Sequence, residues 1–397
     1  MHLFFINYLK LSFILNLLLL SLTNKYIYGR RVLENEKKKF PFPNYQLERR
    51  KRGVYKKMPF KWVFPIPYTV EDPVNRTIID EAINFIQNET CIRFKYVDKL
   101  NETGIKYING KGCFSIVGKL SQTEPQNITI GRDCERVGIV QHETSHALGL
   151  LHEHTRDDRD NYINIEYNNI NKEYWLDFQK FNDSWSDTYN LRYDYGSALH
   201  YETYAGTKNL QQSIKLKDYV YSKTVGQRSQ LSFNDIKLLN LYYCSSICKN
   251  DLKCYDKSYL NPNDCTRCKC PRLLDGKKCQ KLKKSDKFCG KQLLEAKFYR
   301  KKLQVYGRKS CYFKIFTDPG YKVRIKIKKL RVRSSDICEP NSSIEINYLQ
   351  NKAVSGAMFC GRSKNIILKS EGTDAIIHYI GLRPIDFMEL QYRKIKI

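Results

Sequence analysis

Five residues spread over eleven positions constrain this chain of 397 residues more than anything else in it: His142-Glu143-x-x-His146-x-x-Gly149-x-x-His152. A helix through 142–146 puts two imidazoles on one face, one turn apart, where both can reach a single metal ion. Glu143, next to the first histidine, can touch a water at that metal. Gly149 lets the chain leave the helix through a left-handed turn, which brings His152 round as a third ligand. Three protein ligands leave a tetrahedral ion one open position, the coordination of a catalytic site and not of a structural one. A lone H-E-x-x-H arises by chance on amphipathic helices; the extended pattern is far rarer.

Fourteen cysteines, an even number, predict seven disulfides and an oxidising compartment. The N-terminus agrees. Lys10 precedes the apolar run Leu11–Leu20, and Ser21 and Thr23 suit a cleavage site, so residues 1–23 read as a secretory signal. The same stretch is almost long enough to act as a signal anchor; no later segment could span a membrane. Sequons begin at Asn75, Asn88, Asn101, Asn127, Asn182 and Asn341, which in a secreted chain implies a glycosylated surface. The net charge of +28 raises the question of nucleic acid. Secretion and the lack of any nucleic-acid motif argue against that partner, and anionic glycans or membrane surfaces match the charge better.

Gly29–Arg52 is basic and ends in Arg49-Arg-Lys-Arg52 before Gly53, so residues 24–52 read as a propeptide cut by a convertase between Arg52 and Gly53. Globular patterning follows. Trp62–Val70 reads as a strand. Pro73 opens a helix with the stripe Ile78, Ile79, Ala82, Ile83 and Ile86. Ile116–Val117 and Ile128–Ile130 read as strands, and the metal helix starts near Val137. Ser232-Phe-Asn-Asp235 looks like a capping box, with Ile236, Leu239 and Leu241 facing a core. Cys248, Cys254, Cys265, Cys268, Cys270 and Cys279 then crowd into a small module held by bridges. No histidine lies among them, which disfavours a zinc knuckle. From Phe288 the sequence alternates apolar and polar residues, as in an all-β sandwich. There Cys289 and Cys311, and Cys338 and Cys360, pair as neighbours, 22 residues apart in each case. Within it, Lys322, Arg324, Lys326 and Lys328 share one strand face, opposite Tyr321, Val323, Ile325 and Ile327. The phase slips at Lys328–Lys329, which predicts a bulge or a strand end. The stripe reads either as a docking face for sulfated glycans or acidic proteins, or as a solvated sheet face.

Beyond the motif, four stretches carry a family resemblance: Gly112–Gly118, Gly131–Gly138, His152–Tyr162 and Gln227–Cys244. Over Gly53–Cys244 the chain resembles the astacin group of metzincin zinc proteases. Residues 245–280 resemble an EGF-like domain and 289–397 a CUB domain, an order that recurs in secreted astacins, notably nematode ones. The resemblance implies an α+β metzincin protease domain with a zinc helix and a mixed sheet, then a small disulfide-rich EGF-like module and an all-β CUB sandwich. It implies the bridges Cys91–Cys244 and Cys113–Cys134, and in the small module Cys248–Cys265, Cys254–Cys268 and Cys270–Cys279.

It also implies one zinc ion per subunit on His142, His146 and His152, with Glu143 as general base and Tyr201 as a tyrosine that stabilises the oxyanion. Glu153 would seat the new N-terminus at Gly53. The expected activity is that of a secreted zinc metalloendopeptidase hydrolysing peptide bonds of extracellular proteins. Two features depart from the family. Leu199 stands where a methionine is expected beneath the zinc, a swap of similar volume that costs under about 1.5 kcal/mol. The proregion lacks the aspartate that caps the metal, leaving Glu34, Glu36 and Glu48 as its only carboxylates. The acidic set that binds calcium in many CUB domains is not recognisable around Glu345 or Asp374. The alternative function is that of a non-catalytic secreted binding protein with a degenerate protease domain.

Overall fold

The computed structural model describes residues 53–397 apart from 57, 182, 183 and 256. The expected signal, propeptide and Arg52 lie outside the described residues, as does Asn182. Strand β1 (Val54–Tyr55) begins the fold. A five-stranded mixed sheet follows from β2 (Ile66–Val70), β3 (Phe94–Tyr96), β4 (Ile105–Ile108), β5 (Cys113–Ser115) and β6 (Gln126–Ile130), in the order β3-β2-β4-β6-β5. Only β5 runs antiparallel to its neighbour.

Three sequence expectations need correction here. The strand expected at Trp62–Val70 pairs only over Ile66–Val70. Trp62 instead points inward, its indole N–H donating to the Ala147 carbonyl at 2.8 Å. Ile116–Val117 is not a strand: the ladder ends at Ser115, and the chain turns away through Gly118 at φ +81°. The first helix, α1 (Arg76–Glu89), starts three residues beyond Pro73, where Asn75 caps it by accepting from the Thr77 amide at 3.0 Å. Its stripe Ile79, Ala82, Ile83 and Ile86 is buried and packs on the metal helix, α2 (Val137–Ala147).

After α2 regular structure thins. Two short strands, β7 (Ile163–Ile165) and β9 (Ile214–Leu216), pair with each other, while β8 (Ser186–Asp187) pairs with β1. Helix α3 (Phe233–Tyr243) closes this half. Ser232 and Asp235 form a reciprocal capping box at its start. The Cys91–Cys244 disulfide ties its end back to the end of α1 across 153 residues. Constraining so long a loop in the unfolded chain contributes about 4–5 kcal/mol.

The rest of the chain is β-rich and disulfide-bonded. Two small hairpins, β10 (Tyr259–Asn261) with β11 (Asp264–Lys269) and β12 (Leu274–Asp275) with β13 (Lys281–Leu282), are held by Cys248–Cys265, Cys254–Cys268 and Cys270–Cys279. A sandwich follows, built from β14 (Leu293–Glu295), β15 (Lys301–Tyr306), β16 (Lys309–Phe316), β17 (Tyr321–Arg331), β18 (Ile344–Asn347), β19 (Ala357–Phe359), β20 (Arg362–Lys369), β21 (Asp374–Gly381) and β22 (Phe387–Lys396). One sheet is ordered β14-β16-β21-β18-β19 and the other β15-β22-β17-β20. Alternation supplies the core: Phe313 and Ile315 of one sheet and Val323, Ile325 and Leu390 of the other are buried between them. Cys289–Cys311 and Cys338–Cys360 complete the seven bridges. The phase slip in β17 is a register shift between Ile327 and Lys329. The buried apolar cluster of the sandwich runs without a break into Tyr193, Tyr195 and Tyr221 of the region after α2.

Candidate metal centre

Helix α2 is buried from Gly138 to Ala147, an unusual environment for a segment carrying two histidines, a glutamate and a glutamine. Its polar side chains are tied down one by one. Gln141 Oε1 accepts from the Leu231 amide at 3.1 Å, and Thr144 shares a 2.9 Å hydrogen bond with Tyr107. The close packing extends to the backbone: a Cβ on Gly138 would come within 2.1 Å of the Arg228 carbonyl oxygen. At the exit, Gly149 has φ +100°, and a Cβ there would also strike Met58 at 2.7 Å. That turn carries the chain to His152.

The three histidines converge. His142, His146 and His152 each offer a ring nitrogen, and these lie within 4.8 Å of one another. His146 Nε2 is 3.1 Å from Nε2 of both His142 and His152. The other ring nitrogens settle the tautomers. His142 Nδ1 lies 2.7 Å from the Ala198 carbonyl and His146 Nδ1 lies 2.7 Å from the Leu150 carbonyl. A carbonyl only accepts, so in the neutral rings each Nδ1 carries the proton and each Nε2 presents a lone pair. Two such lone pairs facing each other repel, and a cation between them removes the repulsion. A tetrahedral zinc ion with Zn–N bonds of about 2.0–2.1 Å puts its nitrogens roughly 3.3 Å apart, close to the separations found. The donor set therefore fits zinc, and the two carbonyls supply the outer contacts that orient metal-bound imidazoles.

Glu143 is buried one residue along from His142. Tyr201 is buried too, its ring edge-on to His152 at 4.4 Å and stacked on His154 at 4.0 Å. Glu153 is not among the converging ligands: its Oε1 accepts from the Asp194 amide at 2.9 Å and from Arg156 at 3.3 Å. Leu199 is buried with Ala198, Ala147 and Leu148 in the core beneath α2. Its carbonyl accepts from the Glu153 amide at 2.9 Å.

The turn at 194–200 carries contacts that sequence reasoning missed. Asp235, flagged only as a helix cap, also accepts from Ser197 Oγ at 2.6 Å and from the Ala198 amide at 2.9 Å. It thereby anchors the residue whose carbonyl orients His142. Asp194 accepts from the Gly196 amide at 3.0 Å. Burial pushes the Asp194 carboxyl up to about 7, with the Asp235 and Glu153 carboxylates adding to the shift. Burial raises Asp235 as well, against the lowering by its bonds from Ser197, Ser232 and Ala198. The capping pattern was the one sequence signal available for Asp235; none pointed to Asp194.

Residues 54–244 match the family model described as Astacin, a peptidase family. The chain belongs to the astacin family. It is 34% identical over 351 residues to zinc metalloproteinase nas-34 of Caenorhabditis elegans, covering 87% of this chain and 57% of that one. It is 36% identical over 309 residues to zinc metalloproteinase nas-37 of the same organism, covering 76% and 39%. Among solved structures it is similar to high choriolytic enzyme 1, a hatching enzyme zinc-protease of the medaka Oryzias latipes, at 32% identity. That match has a TM-score of 0.41 and covers 45% of this chain and 88% of that one. The chain thus spans little more than half the length of the first of these nematode relatives and less of the second. Zinc is the metal of this family, and the three-histidine cluster of this astacin is able to bind it.

Elsewhere in this astacin, Cys91 pairs with Cys244 and Cys113 with Cys134. The sequon residues Asn75, Asn88, Asn101, Asn127 and Asn341 are all exposed. Glu345 is paired with Arg272, and Asp374 with Lys314 and Lys352 at 2.7 Å each. Among the described residues no helix is long and apolar enough to cross a membrane.

Proposed function

We propose that this astacin is a secreted zinc metalloendopeptidase that hydrolyses peptide bonds of extracellular proteins. The observation that carries the reading is the convergence of three Nε2 atoms, two of them left with a free lone pair because a backbone carbonyl accepts from Nδ1–H of the same ring. When bound, zinc supplies a Lewis acid that lowers the pKa of a water from 15.7 to about 7. His142, His146 and His152 hold the ion as neutral imidazoles. Glu143 takes the water's proton and passes it to the leaving amine. Tyr201 donates to the developing oxyanion, a role supported by its packing beside His152. Substitution Glu143→Gln keeps the shape and removes the base. The expected result is a loss of kcat of about 10²–10⁴-fold with one zinc per chain retained. A variant that cleaves casein at the wild-type rate would remove Glu143 from this role.

The organisation proposed is a signal at 1–23, a propeptide at 24–52, a protease domain at 53–244, an EGF-like domain at 245–280 and a CUB-like domain at 289–397. Cleavage between Arg52 and Gly53 fits the tight seat of Gly53, where a Cβ would lie 1.8 Å from the Asp187 carbonyl oxygen. The Gly53 carbonyl also accepts from the Leu151 amide at 3.3 Å, two residues short of Glu153. Three disulfides within residues 248–279 support the EGF-like assignment, and the two-sheet sandwich supports the CUB-like one.

The partner proposed for the sandwich is a sulfated glycan. Arg324 on β17 lies in register between Arg393 on β22 and Lys369 on β20, three cations abreast at a strand spacing of about 4.8 Å. Like charges directly opposite repel, and a linear polyanion relieves them. Retention on a heparin column through moderate salt, lost when Lys322, Arg324, Lys326 and Lys328 become Ser, is the expected result. Equal retention of the variant sinks the docking role. The rival reading, a binding protein with a degenerate protease site, is motivated by Leu199. The undisturbed hydrogen bonding of His142 and His146 counts against it.

A further inference from the structure

The turn at 194–200 is gripped from outside the protease half of the molecule. Ser355, in the loop between β18 and β19 of the sandwich, donates through its amide to Asp194 Oδ1 at 3.2 Å and through its hydroxyl to Asp194 Oδ2 at 3.1 Å. Its carbonyl accepts from the Tyr221 hydroxyl at 3.2 Å, and Tyr221 stacks on Tyr195 at 4.6 Å. Gly196 is what allows this approach: a Cβ there would fall 2.5 Å from Ser355 Cβ. Two further contacts join the same regions: Arg192 Nη1 lies 2.6 Å from Glu371 Oε2, and the Met358 amide donates to Thr224 Oγ1 at 2.8 Å.

The contact leads to the metal ligands in a few bonds. Asp194 is the first residue of the turn, and its carbonyl accepts from the Ser197 amide at 3.1 Å. Ser197 and Ala198 are held by Asp235, and the Ala198 carbonyl fixes the ring of His142 at 2.7 Å. From the far end of Asp194, the backbone amide ties to Glu153, the residue after His152. The same turn runs on into Leu199 and Tyr201. One carboxylate thus joins the loop of the sandwich to the turn whose Ala198 carbonyl orients His142.

We infer that Ser355 of the C-terminal sandwich is a positioning residue for the metal site, holding through Asp194 the turn whose Ala198 carbonyl orients His142. The inference rests on the reading of the site as a zinc peptidase. It makes the sandwich part of the catalytic framework and not a tethered accessory. Hydrogen bonds confer this because each fixes a direction, and an orienting contact displaced by a fraction of an ångström weakens both metal affinity and catalysis.

The test uses the full processed chain and two readouts: kcat and KM on a peptide substrate, and the rate of zinc transfer to a chromogenic chelator. The chelator assay is repeated in a Glu143→Gln background, where no turnover is needed. Ser355→Ala is expected to speed zinc release about threefold to tenfold and to lower kcat by a similar factor, with KM within about twofold. Ser355→Thr, which keeps the hydroxyl, is expected to stay within about twofold of wild type in both. Lys223→Ala serves as the interface control. It removes the 3.1 Å bond from Lys223 Nζ to the Ser335 carbonyl, at the same interface but away from the turn, and is expected to leave both readouts unchanged. Zinc release and kcat unchanged in Ser355→Ala, or equally altered in Lys223→Ala, would overturn the inference. A wild-type chain that binds zinc but cleaves nothing would instead overturn the peptidase reading, while the chelator comparison still judges Ser355.

Discussion

Helix α2 delivers His142 and His146 by spacing alone, whereas the turn at 194–200 reaches the same site only through partners far away in the chain. On the helix, residues four apart face the same way whatever surrounds them, and Ser145 even bonds back within the helix to the Gln141 carbonyl at 2.7 Å. The turn has short internal bonds of its own, from the Gly196 amide to Asp194 Oδ1 and from the Leu199 amide to Ser197 Oγ at 3.0 Å each, but these do not place it against the metal ligands. Its position is set by Asp235 from the start of α3, by Glu153 after the third ligand and by Ser355 from the sandwich. A metal centre built this way divides its labour. Ligand identity is encoded locally, and ligand orientation is encoded by the assembled fold. Mutational sensitivity should divide along the same line, with conservative changes around the turn costing more than comparable changes in helix-internal bonds.

Asp235→Ala is the largest test of that division among stability changes. It removes the acceptor for Ser197 Oγ, for the Ala198 amide and for the Ser232 amide, at 2.6, 2.9 and 2.9 Å. Two buried amides lose their partner and a helix loses its capping box, so the expected cost is about 3–5 kcal/mol. Zinc release should accelerate with it, because the Ala198 carbonyl is no longer anchored. Ser145→Ala removes a bond that begins and ends within α2 and should cost under about 1 kcal/mol. Denaturant midpoints with zinc bound and after chelation measure both. Equal costs for the two variants would dissolve the contrast between helix and turn.

The same contrast explains what the sequence could and could not reveal. The ligands, the exit at Gly149 and the start of α3 were legible because each depends on neighbours within a few residues: a period of 3.6, a positive φ, a capping box. The alternation in β17 announced its two faces and the slip at Lys328 for the same reason. Ile116–Val117 misled because a β-branched pair favours strands only where a partner lies alongside, and here the ladder stops at Ser115. Trp62 belonged by pattern to a strand, but the Ala147 carbonyl captured its indole. The bonds of Asp194 to Glu153 and Ser355 and the second role of Asp235 left no local trace, since each partner lies at least 37 positions away. Arg393 and Lys369 flanking Arg324 were hidden likewise, for register between strands is a property of the folded sheet.

Leu199→Met probes the turn at its most conservative point and carries the smallest expected effect. Leu199 sits in the core formed with Ala147 and Leu148. Its amide is held by Ser197 Oγ at 3.0 Å and its carbonyl by the Glu153 amide. The backbone at 199 is therefore fixed by hydrogen bonds that do not depend on the side chain. Methionine has nearly the volume of leucine and more rotamers, so repacking should change stability by under about 1.5 kcal/mol. With the Ala198 carbonyl left in place, kcat and the rate of zinc release should stay within about twofold of wild type, since a shift of that size corresponds to only a few tenths of a kcal/mol. A gain of tenfold or more in kcat on restoring methionine would mean that side-chain packing under the metal, and not the hydrogen-bonded backbone of the turn, sets the orientation of the imidazoles. The comparison between helix and turn would then have to be redrawn around the core beneath them.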